Sequence, residues 1–329
     1  MKKGIASRGH AMTPERSSDI FASIDLGSHT VRLLVARWGE GRLESLMRKR
    51  TYIRLAQDFE APCKMTLKQT GIERALKALE GFQSDIEKHR ATKIRGIATG
   101  VVRTAVNRDF FIDLVWEKTG IQLEVISGVE EARLTGLGVQ HALDLGVRPF
   151  IVFDLGGGTT EFLLVAEEGN SKALSLPLGA MILTQRHLVS DPPKEKEFES
   201  LKKETKELLL HAFPDEIRGA PLVGTGGTVT TLAAMAHGLE GPLMSPERMN
   251  GLVLCVQQLE ELLGRMKHVS VAQRARLPGL DRGRADVILA GTMVVTEILN
   301  FFHSSEMMIS LTDLLEGALL DLVGVSLGV

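Results

Sequence analysis

The sequence predicts an α/β fold of two related domains that face each other across a cleft. Short β-branched runs alternate with amphipathic helical stretches in the first half of the chain. A strand–turn–strand unit near Ile20 then returns at Phe150, with Asp-Leu-Gly-Ser at Asp25 matched by Asp-Leu-Gly-Gly at Asp154. Two widely separated copies are typical of paired domains, because repeat arrays have periods of ~20–50 residues. A cleft between paired domains is the usual place for a ligand.

In the first half, short apolar runs rich in β-branched residues predict strands, and apolar residues three or four apart predict helices. The predicted strands cover residues 20–25, 31–37, 42–55, 94–98 and 121–126. The predicted helices cover residues 72–86, 107–119 and 129–143.

The second half begins with strands at residues 150–154 and 161–166 and then becomes more helical. Further strands are predicted at 220–223 and 307–311, and helices at 193–211, from the glycine turn to 236, and at 246–267, 284–302 and 313–323. We expect a flexible leader over residues 1–18, an N-terminal domain over 19–146, and a C-terminal domain with extra helices over 147–329.

Composition excludes several classes of function. The 329 residues contain 39 Lys and Arg against 41 Asp and Glu, a formal net charge of −2, so neither nucleic acid nor an anionic membrane is an expected partner. The two cysteines, Cys63 and Cys255, have no CxxC partner, which fits a reducing cytoplasm. No apolar run reaches the ~18 residues of a membrane span, and we predict a cytoplasmic protein without a signal peptide.

Three glycine-containing turns follow predicted strands, at Gly27, Gly157 and Gly226. Backbone amides in such turns can bind phosphate oxygens, because no side chain blocks their approach. Either Asp-Leu-Gly turn alone is explained by hairpin geometry, but its preservation in both halves favours a shared ligand. Asp25 and Asp154 stand at the mouth of the cleft and suit Mg²⁺, although an aspartate that caps its own turn remains an alternative for Asp25.

Several motifs, in this order, resemble the exopolyphosphatase and guanosine pentaphosphate phosphatase (Ppx/GppA) family. They are DLGS at 25–28, Ala98-Thr99 with Arg103, ISGVEEARL at 126–134, DLGGGTTE at 154–161, LPLGA at 176–180, GTGGT at 224–228, LPGL at 277–280 and GRAD at 283–286. The resemblance extends from about Ile20 to the C-terminus. The set of motifs is far more specific than any one motif.

This resemblance implies two ribonuclease-H-like domains of the actin, Hsp70 and sugar-kinase superfamily, in a short form without the extra domain of longer members. It also implies release of terminal phosphate from inorganic polyphosphate or from guanosine pentaphosphate, with Mg²⁺ or with Mn²⁺ in its place. By motif, Glu131 matches the catalytic base and Glu161 a second essential carboxylate. Asp154 matches the metal-associated aspartate, and Asp25 is the second metal candidate. The remaining positions implied to contact phosphate are Gly27, Ser28, His29, Arg103, Gly157, Gly158, Thr159, Gly226, Gly227 and Thr228. Family members are often dimers, so the implied protein partner is a second copy of this chain.

The roles that the resemblance implies agree with the chemistry of phosphoanhydride hydrolysis. The reaction needs a water in line with the terminal phosphorus and positive groups on the phosphate oxygens. A glutamate such as Glu131 can orient and deprotonate that water. The neighbouring Glu130 is explained by the helix N-terminal dipole. The cations at 48, 49, 50 and 54 fit either a track for a polyanion or a solvated edge strand.

The sequence also departs from the family pattern. His29 stands where an asparagine is usual, Gly100 replaces a common serine, and the usual glycine and arginine are missing at Asp313 and Leu315. A protonated His29 could donate to phosphate. Two other classes therefore stay open below the hydrolase: a kinase of the same superfamily, and a non-catalytic sensor of polyphosphate or nucleotide.

Overall fold

The computed structural model describes residues 19–57, 65–145, 149–166, 171–213 and 219–327. The predicted leader over 1–18 lies outside these ranges, as do residues 146 and 147 at the predicted domain boundary. Within them, no helix is long and apolar enough to cross a membrane.

The first sheet has five strands in the order β3-β2-β1-β4-β5. They are β1 (Ile20–Leu26), β2 (Thr30–Gly39), β3 (Arg42–Tyr52), β4 (Lys93–Ala98) and β5 (Leu123–Val125). β1, β2 and β3 are antiparallel neighbours, whereas β4 and β5 run parallel to β1. The accompanying helices are α1 (Gln69–Lys88), α2 (Val101–Thr104), α3 (Arg108–Thr119) and α4 (Gly128–Ala142).

The second sheet repeats this design. Its strands are β6 (Phe150–Leu155), β7 (Thr160–Val165), β8 (Ser171–Leu176), β9 (Leu222–Thr225), β10 (Val253–Cys255) and β11 (Glu306–Ile309). Their order is β10-β11-β9-β6-β7-β8, so β8-β7-β6-β9-β11 reproduces the first sheet strand by strand, with β10 added at the edge. Three antiparallel strands followed by two parallel ones form a ribonuclease-H-like sheet, and the internal duplication is therefore confirmed. The sequence analysis missed β8, which is only half-buried.

The second half is more helical, as predicted. Its helices are α5 (Ala180–His187), α6 (Glu195–Ala212), α7 (Gly227–His237), α8 (Pro246–Met249), α9 (Val256–Met266), α10 (Val271–Arg274), α11 (Ile288–Phe301) and α12 (Leu314–Leu322). The apolar faces of α6, α7, α9 and α11 pack with β6, β7 and β9 into the largest core cluster of the described residues, whereas those of α12 pack elsewhere.

Most predicted elements shift by a few residues at their ends, and three of the differences have a clear structural cause. The helix predicted over 246–267 is divided, because Gly251 has a φ of 85° and the chain then forms β10 beside β11. The helix predicted from 284 begins at Ile288, after a 3₁₀ turn. The strand predicted to reach Leu55 ends at Tyr52, because the next two amides turn to the His29 carbonyl, at 3.0 and 2.9 Å.

Two helices, α4 and α12, connect the halves of the molecule. α4 packs against the second sheet, and α12 packs against both α4 and β1, where the Ser23 hydroxyl donates to the Leu315 carbonyl at 2.8 Å. The helices cross at Gly138 and Gly317, where an added Cβ would overlap the backbone of the other helix. The last helix of the chain thus lies on the first sheet, and a division at 146/147 stays a prediction.

Candidate active site

The two Asp-Leu-Gly turns have the same geometry. The Gly27 amide donates to the Thr30 carbonyl at 3.0 Å, and the Gly156 amide donates to the Thr159 carbonyl at 2.9 Å. The turns face each other closely, since a Cβ on Gly158 would lie 2.6 Å from the Ser28 hydroxyl. The first turn therefore leaves no room for a side chain at Gly158 in the second turn.

The amides of the second turn are left available for a ligand. The first amides of α5 donate to the carbonyls of Gly156 and Gly157, at 3.0 and 2.9 Å, and hold the turn from behind. Among the described residues, the Gly157 and Gly158 amides donate to no backbone carbonyl. Such unpaired amides at a glycine turn form an anion-binding surface.

Gly100 is explained by the same packing. It has a φ of 54°, and a Cβ there would overlap the Ser28 hydroxyl. That hydroxyl accepts a hydrogen bond from the Val101 amide at 3.0 Å. Glycine at this position thus allows the first turn to dock on α2.

A carboxylate pair lies beside the turns. Glu131, in the first turn of α4, accepts a hydrogen bond at 2.9 Å from Nη1 of Arg103. Nη2 of Arg103 lies 3.6 Å from Glu161, which also accepts from the Ser175 hydroxyl at 2.6 Å. Both glutamates are buried, at 7% and 2% exposure. Glu130, by contrast, pairs with Arg133 outside the cavity.

Burial controls the electrostatics of this pair. Burial and the charge of Glu161 raise the pKa of Glu131 well above its ordinary value, and Arg103 opposes the increase. Burial raises the pKa of Glu161 to about 7, against the hydrogen bond from Ser175. Carboxylates whose pKa values are raised in this way accept a proton more readily than free glutamates do, as suits a general base.

A second acidic group contains the two metal candidates. Nε of Arg32 donates to Oδ2 of Asp25 at 2.8 Å, and its Nη1 bonds to Asp313, the N-cap of α12. Burial raises the pKa of Asp25, and burial with the nearby Asp313 raises that of Asp154 to about 8. Arg32 thus joins Asp25 and Asp313 directly, and the charge of Asp154 also acts on it.

The donor set fits Mg²⁺, which stays a proposal. Oδ1 of Asp25 is buried without a well-oriented hydrogen bond, and Asp154 lines the same cavity. No cluster of three or more metal-binding side chains exists among the described residues. Mg²⁺ usually binds one or two carboxylates and takes its other oxygens from water and substrate phosphate, so a pair of aspartates is sufficient.

These groups surround one cavity of about 430 Å³ between the two sheets. The sequence-predicted residues that line it are Asp25, Gly27, Ser28, His29, Glu131, Asp154, Gly157, Gly158, Thr159, Glu161, Gly226 and Gly227. Arg103 lies behind this lining and reaches it through Glu131. The Thr228 side chain is 1% exposed and packs where α7 meets α11 at Gly291, away from the cavity.

The sequence analysis missed three charged residues of the cavity: Arg32, Asp313 and Arg284. Arg32 could have been found, since the predicted hairpin places it directly opposite Asp25. Arg284 stood inside the quoted GRAD motif without an assigned role. Asp313 lines the cavity only because α12 packs back against β1. No local sequence pattern predicts this packing.

Comparison with known proteins agrees with this geometry. The Ppx/GppA phosphatase family matches residues 34–325 of the chain. The chain belongs to the Ppx/GppA phosphatase family. Exopolyphosphatase 2 of Mycobacterium tuberculosis is 33% identical over 322 residues, which cover 92% of this chain and 98% of that protein.

Solved Ppx/GppA structures share the fold over almost the whole chain. The Aquifex aeolicus family member is 28% identical with a TM-score of 0.77, covering 93% of this chain and 97% of its own. An exopolyphosphatase from Cytophaga hutchinsonii is 25% identical with a TM-score of 0.84, covering 94% and 100%. The fold expected from the sequence, two ribonuclease-H-like domains around a cleft, is confirmed.

One departure from the Ppx/GppA pattern has a clear structural consequence. Nε2 of His29 lies 3.1 Å from the Gly283 carbonyl, and the ring packs edge-on against Tyr52 at 5.1 Å. Burial and the charge of Arg284 lower the pKa of His29 to about 4. This environment favours the neutral imidazole at pH 7, and a contact from His29 to phosphate stays a prediction.

The other departures from the family pattern, Asp313 and Leu315, lie at the start of α12, and arginines of the first sheet approach this helix. Leu315 leaves no guanidinium on α12 at the cavity, but Arg48 lines it and bonds to Glu316. Arg50 on β3 bonds to Asp281, and Arg54, just after β3, bonds to Asp286, so both cations are tied to carboxylates of the second half. The side chains of Arg48 and Arg54 are partly buried there, at 27% and 31% exposure, whereas that of Arg50 is more exposed, at 37%.

Proposed function

We propose that the protein hydrolyses the terminal phosphoanhydride bond of inorganic polyphosphate. The observation that carries the proposal is the Glu131–Arg103–Glu161 group, buried beside two facing glycine turns in one cavity. Turn amides suit the oxygens of a terminal phosphate. A buried glutamate beside that phosphate suits the attacking water.

In this proposal Glu131 orients the water and accepts its proton. Arg103 holds the carboxylate in place through its 2.9 Å hydrogen bond and restrains the pKa from rising further. General base catalysis is typically worth 10²–10⁴-fold in rate. The leaving phosphate takes the electrons of the broken P–O bond, and the attacking oxygen stays on the released orthophosphate.

The remaining groups neutralise and position the phosphates. Amides of the turns at Gly27, Gly157 and Gly226 bind phosphate oxygens, as electrostatic stabilisation of phosphoryl transfer requires. Mg²⁺ bound at Asp25 and Asp154 would supply positive charge to those oxygens. Arg32 orients Asp25 through its hydrogen bond, and its charge opposes the rise in the Asp25 pKa that burial causes.

Guanosine pentaphosphate is the second candidate substrate, and one observation favours it. Apolar side chains of Met244, Leu311 and Leu315 line part of the same cavity, which a polyphosphate chain alone would not need. A nucleoside could pack against such a surface, since ligand pockets combine apolar walls with a few polar groups. The chemistry at the terminal phosphate would be the same.

The test is phosphate release with Mg²⁺ from long polyphosphate and from guanosine pentaphosphate, side by side. We expect Glu131→Gln to lower release by at least about 10²-fold. The matched control is Glu130→Gln, on the same helix turn but paired with Arg133 outside the cavity. Preference for the nucleotide selects the second candidate. No release from either, or transfer only to an added acceptor, would reject the proposal in favour of a sensor or a kinase.

A further inference from the structure

One hydroxyl beside the carboxylate pair has no role in the proposed mechanism. Ser175 lies on β8 directly opposite Glu161 on β7, and its hydroxyl donates to Oε1 of Glu161 at 2.6 Å. The same Oε1 faces Nη2 of Arg103 at 3.6 Å. The first distance is that of a strong O–H···O hydrogen bond, and the second is too long for a hydrogen bond. Glu161 is therefore bonded to the serine and not to the arginine.

Arg103 uses its two terminal nitrogens unequally. Nη1 donates to Glu131 at 2.9 Å and to the Ile126 carbonyl at 3.3 Å. Within the ranges that the structure describes, Nη2 makes no hydrogen bond, and it points towards Glu161 across the 3.6 Å gap. An arginine fork can bond to two carboxylate oxygens at once. Here the guanidinium lies between two glutamates and bonds to only one of them.

Packing fixes the place of the serine. Gly128 opens α4 three residues before Glu131, and a Cβ added to it would lie 2.3 Å from Cβ of Ser175 and 3.5 Å from Nη2 of Arg103. Glycine thus allows the start of α4 to lie against β8. Ser175 therefore contacts both the side chain of Glu161 and the helix that carries Glu131.

We propose that Ser175 is a positioning residue, which holds Glu161 away from Arg103 so that the guanidinium bonds to Glu131 alone. The inference rests on the proposed function, in which Glu131 is the base, and adds a residue to it. Without the hydroxyl, the buried Oε1 of Glu161 loses its donor, and a buried acceptor without a partner is unfavourable. A movement of less than about 1 Å would bring it into hydrogen-bond distance of Nη2. The two glutamates would then share one guanidinium.

The kinetic test is the pH–rate profile of Ser175→Ala for phosphate release from tripolyphosphate with Mg²⁺. A shared Arg103 gives Glu131 less positive charge, which raises the pKa of Glu131 and keeps the base protonated to a higher pH. The acid limb should move upward by about 1 pH unit, so release on that limb should be about ten-fold slower than in wild type. The deficit should shrink as the pH rises.

Two variants accompany this measurement. Ser175→Cys keeps the size of the side chain but offers only a weak donor, so its profile should lie between those of wild type and Ser175→Ala. Ser171→Ala is the matched control, because Ser171 is an exposed serine on the same face of β8, opposite Val165 and outside the cavity. Its profile should coincide with that of wild type.

A double-mutant cycle with Arg103→Gln identifies the route of the effect. In Arg103→Gln no guanidinium is left to share, so adding Ser175→Ala should change the rate on the acid limb by less than about two-fold. A serine that only stabilised β8 would instead lower the melting temperature and cause the same loss of rate with and without Arg103. That result would overturn the inference.

A crystal structure of Ser175→Ala tests the geometry without turnover. We expect the distance from Nη2 of Arg103 to Glu161 to shorten from 3.6 Å to about 2.9 Å. The inference is overturned if that distance is unchanged, or if the acid limb of Ser175→Ala coincides with that of Ser171→Ala. If wild type releases phosphate from neither polyphosphate nor the nucleotide, the proposed function fails, and this distance still decides whether Ser175 keeps the two groups apart.

Discussion

Removal of the Arg103 guanidinium tests the electrostatics of the carboxylate pair. Arg103 is 19% exposed and makes a 2.9 Å hydrogen bond to Glu131, with Glu161 3.6 Å away. A hydrogen bond to a charged group contributes about 1.5–3 kcal/mol, and 1.36 kcal/mol corresponds to one pKa unit. Arg103→Gln should therefore move the acid limb of the pH–rate profile upward by about 1–2 pH units.

The assay is the initial rate of phosphate release between pH 5 and 9. A base must be deprotonated to act, so on the acid limb Arg103→Gln should be about 10–100-fold slower than wild type, and the deficit should shrink as pH rises. Arg186→Gln is the control, because its pair with Glu204 is half-exposed and outside the cavity. An unmoved acid limb with a lower plateau would refute this reasoning and leave Arg103 as a phosphate ligand only.

Two further predictions concern stability. Burial raises the pKa of Asp154 to about 8 and that of Glu161 to about 7, so the folded state binds these protons more tightly than the unfolded state. Their contribution to the free energy of unfolding is complete below about pH 4 and is lost as the pH rises through 7–8. The melting temperature of the metal-free protein should accordingly fall between pH 5 and 9, and Asp154→Asn should flatten that slope; parallel slopes in both proteins would contradict this. Gly317→Ala places a methyl group against the Leu134 carbonyl and should destabilise by about 1–3 kcal/mol in urea unfolding. Gly81→Ala, in α1 with open space around it, should stabilise by about 0.5–1 kcal/mol, and a similar loss in both variants would show that the helix crossing is not the cause.

Local patterns predicted most of the fold. Strand and helix positions followed from apolar periodicity, and the duplicated Asp-Leu-Gly turn predicted the two sheets that the structure contains. The errors lie where tertiary contacts decide. The helix predicted over 246–267 is interrupted because β10 pairs with β11, and β8 was missed because its alternation is weak.

The candidate site likewise contains residues that the sequence predicted and properties that depend on tertiary contacts. Glu131, Asp154 and Glu161 stood in motifs quoted from the sequence, and the structure brings them to one cavity. Their roles, the metal, the homodimer and the cytoplasmic location stay predictions. His29 shows the limit of local reasoning, because its neutral state depends on burial and on Arg284, which is distant in the chain.

The sequence by itself determined the two sheets, the three glycine turns and the acidic residues at strand ends, because these depend on neighbours in the chain. Only the tertiary structure decided which charges are paired. Arg32 meets Asp313 and Arg48 meets Glu316 because α12 packs back on β1, and the Arg284 guanidinium lies against α7 because Gly227 leaves room for it. Electrostatic energy depends on distance and burial, and neither can be read from positions along a chain.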